Sequence, residues 1–171
     1  MLSNVRCQDV RIKKIVIGSD HGGFRLKEKL KAFLEKKGYC LKDVGCFNRE
    51  SCDYPEYAYE VARLVSAGRF PRGILICKSG IGNSIAANKL KGVRAALCYN
   101  LKAAKLSRKH NDANVLVLGD LFVKEAMAKR IAGLWLQTEF EGGRHLKRVK
   151  QIGDIEDKTN ELFKKNRSAD I

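Results

Sequence analysis

Short apolar, β-branched runs alternate with amphipathic segments along this chain, and that alternation restricts its fold more than any other feature. Ile15 to Ile17 is such a run, followed by the turn Gly18 to Gly23. Phe24 to Lys37 then has a helical pattern, with Leu26, Leu30, Phe33 and Leu34 on one face and Gly38 as its stop. Tyr39 to Val44 reads as a second strand. Asp53-Tyr54-Pro55 opens a helix to about Ala67, with Asp53 as N-cap and Pro55 in the first turn, where a missing N–H had no partner to lose. Gly73 to Cys77 is a third strand, apolar on both faces. A helix from Ser84 to Leu90, a strand from Val93 to Cys98, a helix from Leu101 to His110, a strand from Val115 to Leu118 and a helix from Val123 to Leu136 complete the pattern. A polar, helical tail begins at Arg144 and frays over residues 166–171.

Alternation of this kind predicts a parallel sheet with helices on both faces. Ligands of such sheets sit at the carboxyl ends of the strands. Three stretches qualify: Ser19 to Gly23, Cys77 to Ser84, and the region after Cys98.

The 171 residues suit one domain, and no Pro- or Ser-rich linker divides them. No apolar run approaches the roughly 20 residues that span a bilayer, and the first residues lack the apolar core of a secretory signal. A cytoplasmic protein that does not enter membranes is expected. Its 6 cysteines form no Cys-x-x-Cys pair and are expected to be free thiols, with Cys40 and Cys98 acting as small buried hydrophobes. The net charge of +15 fits an anionic small substrate, a nucleic acid or an anionic lipid. Its Lys and Arg are dispersed over predicted polar helix faces, as at Lys27, Lys29, Lys31, Lys36 and Lys37. A solvated basic surface with no specific nucleic-acid site is the reading adopted.

Four clusters carry candidate chemistry. Gly18-Ser-Asp20-His21-Gly22-Gly23 joins a strand to a helix, so its backbone can approach an anion at a helix start; a plain tight turn with a capping Asp fits as well. Cys77-Lys-Ser79-Gly80-Ile-Gly82-Asn83-Ser84 puts a thiol at the end of a buried strand. The following helix start is expected to lower its pKa and to offer N–H groups to an oxyanion, which suits proton abstraction beside a carbonyl. A buried structural Cys is the alternative. A tyrosine-phosphatase loop is excluded because the sixth residue after Cys77 is Asn83 rather than Arg, and a nucleotide loop because Gly-Lys-Ser/Thr is absent from the string. Ser107 to Asp112 contains His110 and Asn111 at a helix end. In Glu141 to Arg148, Arg144 and Arg148 are one helical turn apart and can converge on one phosphate, or can form a solvated basic face.

With these clusters together, the sequence resembles the type B ribose-5-phosphate isomerases, in the family that also holds galactose-6-phosphate and allose-6-phosphate isomerases. The matching strings are SDHGG, DYP, GILIC, SGIG-SIAANK, GVRAALC, LSRKHNDANVL and EGGRH-KRV, in order from about Lys14 to Ile152. The resemblance implies a three-layer α/β/α sandwich on a five-stranded parallel, Rossmann-like sheet. It implies an isomerase domain over residues 14–152, preceded by an extension at 1–13 and followed by a helical tail at 153–171 of the same domain. Cys77 would be the proton-transfer base. Ser79 and the turn Gly80 to Gly82 would stabilise an enediolate, and His110 with Asp20 would open the sugar ring. His21, Arg144 and Arg148 would bind phosphate. Tyr54 and Asn111 would contact the sugar, with Gly80, Gly82, Asn83 and Ser84 lining its site. No metal or organic cofactor is implied. Sites shared between the subunits of a homodimer, or of a dimer of dimers, are implied. Two positions depart from the family pattern: Lys78 stands where a small residue is usual, and Leu121 where an Arg is frequent.

Overall fold

The computed structural model describes residues 13–169. Of the predicted extension, residues 1–12 lie outside the described residues, and Lys13 opens the first strand. In chain order the elements are β1 (Lys13–Ser19), α1 (Phe24–Lys36), β2 (Tyr39–Asp43), α2 (Tyr54–Ser66), β3 (Gly73–Cys77), α3 (Ile81–Ala87), β4 (Ala95–Leu97), α4 (Leu101–Asn111), β5 (Val115–Gly119), α5 (Glu125–Gln137) and α6 (Arg144–Ala169). All strand pairs are parallel, in the order β2-β1-β3-β5-β4. The strand period of two divides the core. Ile15, Ile17, Ile74, Ile76, Leu116 and Leu118 face α1 and α5, where Leu30, Ile131 and Trp135 are wholly buried. Val16, Leu75, Val115 and Val117 face the other way, against Ala58, Val61 and Ala62 of α2. The result is the expected three-layer sandwich.

Three local expectations change. Asp53 occupies the N-cap of α2, but its side chain makes no capping bond. The third helix begins at Ile81 rather than Ser84, so Gly82, Asn83 and Ser84 are its first turn instead of the loop before it. Cys98 is buried as expected, and burial pushes its thiol up to about 11. Cys40, however, is half-buried and disulfide-bonded, so it is neither a free thiol nor a core hydrophobe.

Lys27 also departs from its expected place on a solvated face. Its side chain is wholly buried, and its Nζ lies 2.5 Å from Asp43 Oδ2 and 3.0 Å from Glu28 Oε1. The end of β2 brings Asp43 over α1, where Lys31 also reaches it at 2.6 Å. Burial alone would raise the Asp43 carboxyl, but Lys27, Lys31 and the Gly45 N–H outweigh it and hold the group below its ordinary value. Asp43→Asn leaves a buried ammonium without its main partner, and a loss of about 3 kcal/mol of stability is expected in urea unfolding. The contribution is complete above the ordinary carboxylate range and fades as the pH falls through the depressed Asp43 value. The difference between Asp43→Asn and the unmutated chain should therefore shrink in acid.

Candidate active site

The connection out of β1 leads to β2 on one side, and the chain then crosses to β3 on the other, so β1 and β3 flank the point where the sheet's winding reverses. Crevices form there, outside the carboxyl ends of the strands. Ser19 is level with Ile76, which places Asp20 and Cys77 side by side at this rim.

Cys77 is 4% exposed, and its Sγ accepts the Gly80 N–H at 3.0 Å. Gly80 has φ 84, in the left-handed region, which turns its N–H back onto the sulfur and starts α3. Burial pushes the thiol up. The N–H groups of Gly80, Asn83 and Ser79 pull it down, and the Asp20 charge pushes it up again. The net shift is upward, against the expectation that the helix start would lower it: α3 offers N–H groups but has only two turns, and it cannot offset burial beside a carboxylate. Cys77 rests as a thiol and is a stronger base than an exposed cysteine once deprotonated.

Asp20 is 7% exposed, and its Oδ1 accepts the Gly23 N–H at 2.8 Å. The exposed imidazole of His21 contacts the Cys52 backbone, with Nδ1 3.1 Å from its N and 3.2 Å from its O. Tyr54, at the start of α2, lies over Gly82: a Cβ there would come within 2.5 Å of the ring, so glycine is needed for this approach. Ser79 Oγ accepts the Ile81 N–H at 3.3 Å. Asn83 is wholly buried, and neither its amide nor the Ser19 hydroxyl has a hydrogen-bond partner among the described residues. Ser84 is half-buried beside them.

The remaining predicted residues are elsewhere. Helix α4 starts at the carboxyl rim and runs back, so His110 and Asn111 lie at the opposite rim, where Arg94 Nε donates to the Asn111 carbonyl at 3.1 Å just ahead of β4. His110 stacks on His145 with ring centroids 4.1 Å apart. His145 belongs to the first turn of α6, which carries the exposed Arg144 and Arg148. From Val115, level with Gly73, to Gly119, level with Cys77, the rims are roughly 13 Å apart at about 3.3 Å per residue. His110 is therefore not beside Asp20 within one chain, and the ring-opening pair implied by the resemblance could meet only across two chains. One chain carries two separate clusters on opposite rims, a thiol–carboxylate cluster and an imidazole–guanidinium cluster.

His145 was not singled out in the sequence. It is 4% exposed, and loss of hydration, with His110 and Arg144 nearby, holds its ring below the ordinary histidine value. A neutral ring can stack on His110 and fix its orientation. The only hint in the sequence is its place directly after Arg144. The two departures, Lys78 and Leu121, are neighbours: the Leu121 N–H donates to the Lys78 carbonyl at 3.0 Å, and both side chains are exposed.

The fold and this thiol site define a parallel-sheet α/β enzyme, an isomerase by its relatives. The ribose/galactose isomerase family model matches residues 15–152. The chain is 47% identical over 149 residues to ribose-5-phosphate isomerase B of Escherichia coli, covering 87% of this chain and 100% of that one. The structure of Clostridium thermocellum ribose-5-phosphate isomerase B superposes with a TM-score of 0.84 at 51% identity, over 85% of this chain and 99% of the other. That of the Thermotoga maritima ribose 5-phosphate isomerase gives 0.80 at 45%, over 82% and 97%. The chain belongs to the ribose/galactose isomerase family.

Proposed function

We propose that this enzyme interconverts ribose 5-phosphate and ribulose 5-phosphate through an enediolate, with Cys77 moving the proton between the first two sugar carbons. The observation that carries this reading is the Cys77 sulfur, at the reversal point of the sheet, bounded by Asp20 and by the N–H groups of Gly80, Ser79 and Asn83. A base strengthened by burial can take a proton from a carbon acidified by a carbonyl. Ser79 and the Gly80–Gly82 turn hold the enediolate oxygens, while Tyr54, Asn83 and Ser84 line the sugar. His21, Arg144 and Arg148 take the phosphate, Asn111 contacts the sugar, and His110 protonates the ring oxygen during opening, with Asp20 accepting the hydroxyl proton.

The two clusters are half-sites on opposite rims, so the complete site is assembled from two chains in a homodimer. Ile81, Ile85, Tyr99 and Phe122 are exposed large apolar residues around the thiol half and suit such an interface. Lys78 supplies a cation where Leu121 supplies none. A cytoplasmic setting goes with a phosphorylated substrate. No helix among the described residues is long and apolar enough to cross a membrane.

A coupled assay with ribose 5-phosphate and a panel of six-carbon aldose phosphates tests the substrate. Highest kcat/KM on ribose 5-phosphate, with unphosphorylated ribose turned over very poorly, is expected. A clear preference for allose or galactose 6-phosphate would favour the hexose-phosphate reading instead. No turnover of any of them would leave a phosphosugar-binding protein without catalysis.

A further inference from the structure

Beside His21 lies a second thiol centre that the isomerase chemistry does not use. The segment between β2 and α2 carries Cys46 and Cys52, both free. The His21 N–H donates to Cys52 Sγ at 3.2 Å, and His21 Nδ1 lies 3.8 Å from the same sulfur. The side chains of Tyr57 and Cys46 are close enough to act on the same sulfur. Cys46 is 3% exposed and gives its own thiol hydrogen to the Asn48 carbonyl at 2.8 Å, while Cys52 is half-buried and open to a small reagent. We infer that Cys52 is a peroxide-reactive cysteine and Cys46 its resolving partner, forming a reversible modification site against the phosphate-binding end of the candidate active site.

A sulfur surrounded by an amide N–H, an imidazole and a phenol is placed to carry negative charge. Burial opposes this, but the hydrogen bonds from His21 and Tyr57 lead the contacts that outweigh it, and the Cys52 thiol lies below its ordinary value. The same contact raises His21, and that from Cys52 pushes Tyr57 up to about 12, so the phenol remains a donor. Cys46, Cys77 and Cys98 are all shifted the other way, chiefly by burial. Among the described free cysteines, thiolate reactivity is therefore concentrated at Cys52.

The oxidant is a hydroperoxide. The Cys52 thiolate attacks its O–O bond; an S–O bond forms, the O–O bond breaks, and the departing oxygen leaves as water or an alcohol with the thiol proton. Cys46 then attacks the sulfenic sulfur. The S–S bond forms, the S–O bond breaks, and hydroxide leaves as water with the Cys46 proton. In sum, two thiols and one hydroperoxide give one disulfide, one water, and one alcohol or second water. Oxidation removes the thiol that faces His21 and ties down the backbone that holds its ring. Weaker phosphate binding follows, a consequence that rests on the role proposed for His21.

The test treats the full chain with one equivalent of hydrogen peroxide near neutral pH and maps the thiols by peptide mass spectrometry. A Cys46–Cys52 disulfide, reversed by a dithiol, is expected, and Cys46→Ser should stop at a sulfenic acid on Cys52. In the untreated protein, iodoacetamide should label Cys52 about tenfold faster than Cys98. First oxidation at Cys77 or Cys98, or no Cys46–Cys52 link, would overturn the site. These readouts need no isomerase activity. In the ribose 5-phosphate assay the oxidised protein should show a raised KM, restored by reduction. A formed disulfide with unchanged KM would overturn the control of binding and locate the error in the role of His21.

Discussion

Cys77→Ala is expected to lower isomerisation by a factor of about 10²–10⁴ while leaving the fold and phosphosugar binding in place. The side chain is small and is held through backbone N–H groups, that of Gly80 at 3.0 Å, so its loss removes little packing. What goes is the group that shuttles a proton between adjacent carbons, and the carboxylate whose charge acts on it is that of Asp20. Asp20 is held by the Gly23 N–H, and carboxylates as a class are much weaker bases than thiolates. In the unmutated enzyme, solvent deuterium should enter the second sugar carbon during turnover. The pH profile gives an independent check. The free enzyme needs Cys77 deprotonated, and burial has raised the thiol, so kcat/KM should climb with pH through and above the ordinary cysteine range. Near-normal turnover in the alanine variant would remove Cys77 from the mechanism. An acid limb well below the ordinary thiol range would show that another group is the base.

Mixing two inactive variants should restore activity. Cys77→Ala damages the thiol half-site, and the double change Arg144→Ala with Arg148→Ala damages the guanidinium half, where each charge-assisted phosphate contact contributes roughly 1.5–3 kcal/mol. If each site joins the thiol half of one chain to the guanidinium half of its partner, a mixed dimer has one site with both defects and one with neither. Random reassortment makes half of the dimers mixed, so about a quarter of unmutated activity should return. Native mass spectrometry can verify that mixed dimers formed. Mixed dimers without activity would mean that the halves do not combine across subunits. An active monomer by light scattering would dispose of the dimeric site altogether.

How far the sequence could be read differs from residue to residue. Alternating apolar runs located β1 and β3, and the crevice rule then placed Asp20 and Cys77 together because position on a strand end is a matter of pattern alone. The placing of His110 at the far rim was also implicit, since a helix after a parallel strand must return toward the strand's start. What pattern does not contain is side-chain environment. Lys27 occurs among other lysines in a polar string, and only the end of β2, 16 residues on, decides that it is buried. The upward shift of Cys77 reflects a balance between burial and a few N–H groups, which no motif reports. Cys52 and His21 are 31 residues apart, and nothing in either neighbourhood announces the other.

The backbone bond between Leu121 and Lys78 has a bearing on how strictly sugars are sorted by length. On the proposed reading, an ammonium on a four-carbon stem stands near the strand end where the family often has a guanidinium. A guanidinium is a flat fork that rewards one orientation of a phosphate, whereas an ammonium is a compact charge that follows its partner over a range of positions. A phosphate displaced by the length of one extra carbon would lose little at such a contact. Discrimination between five- and six-carbon chains then falls, on the same reading, to the Arg144 and Arg148 forks and to the rigid wall, the Tyr54 ring lying over Gly82.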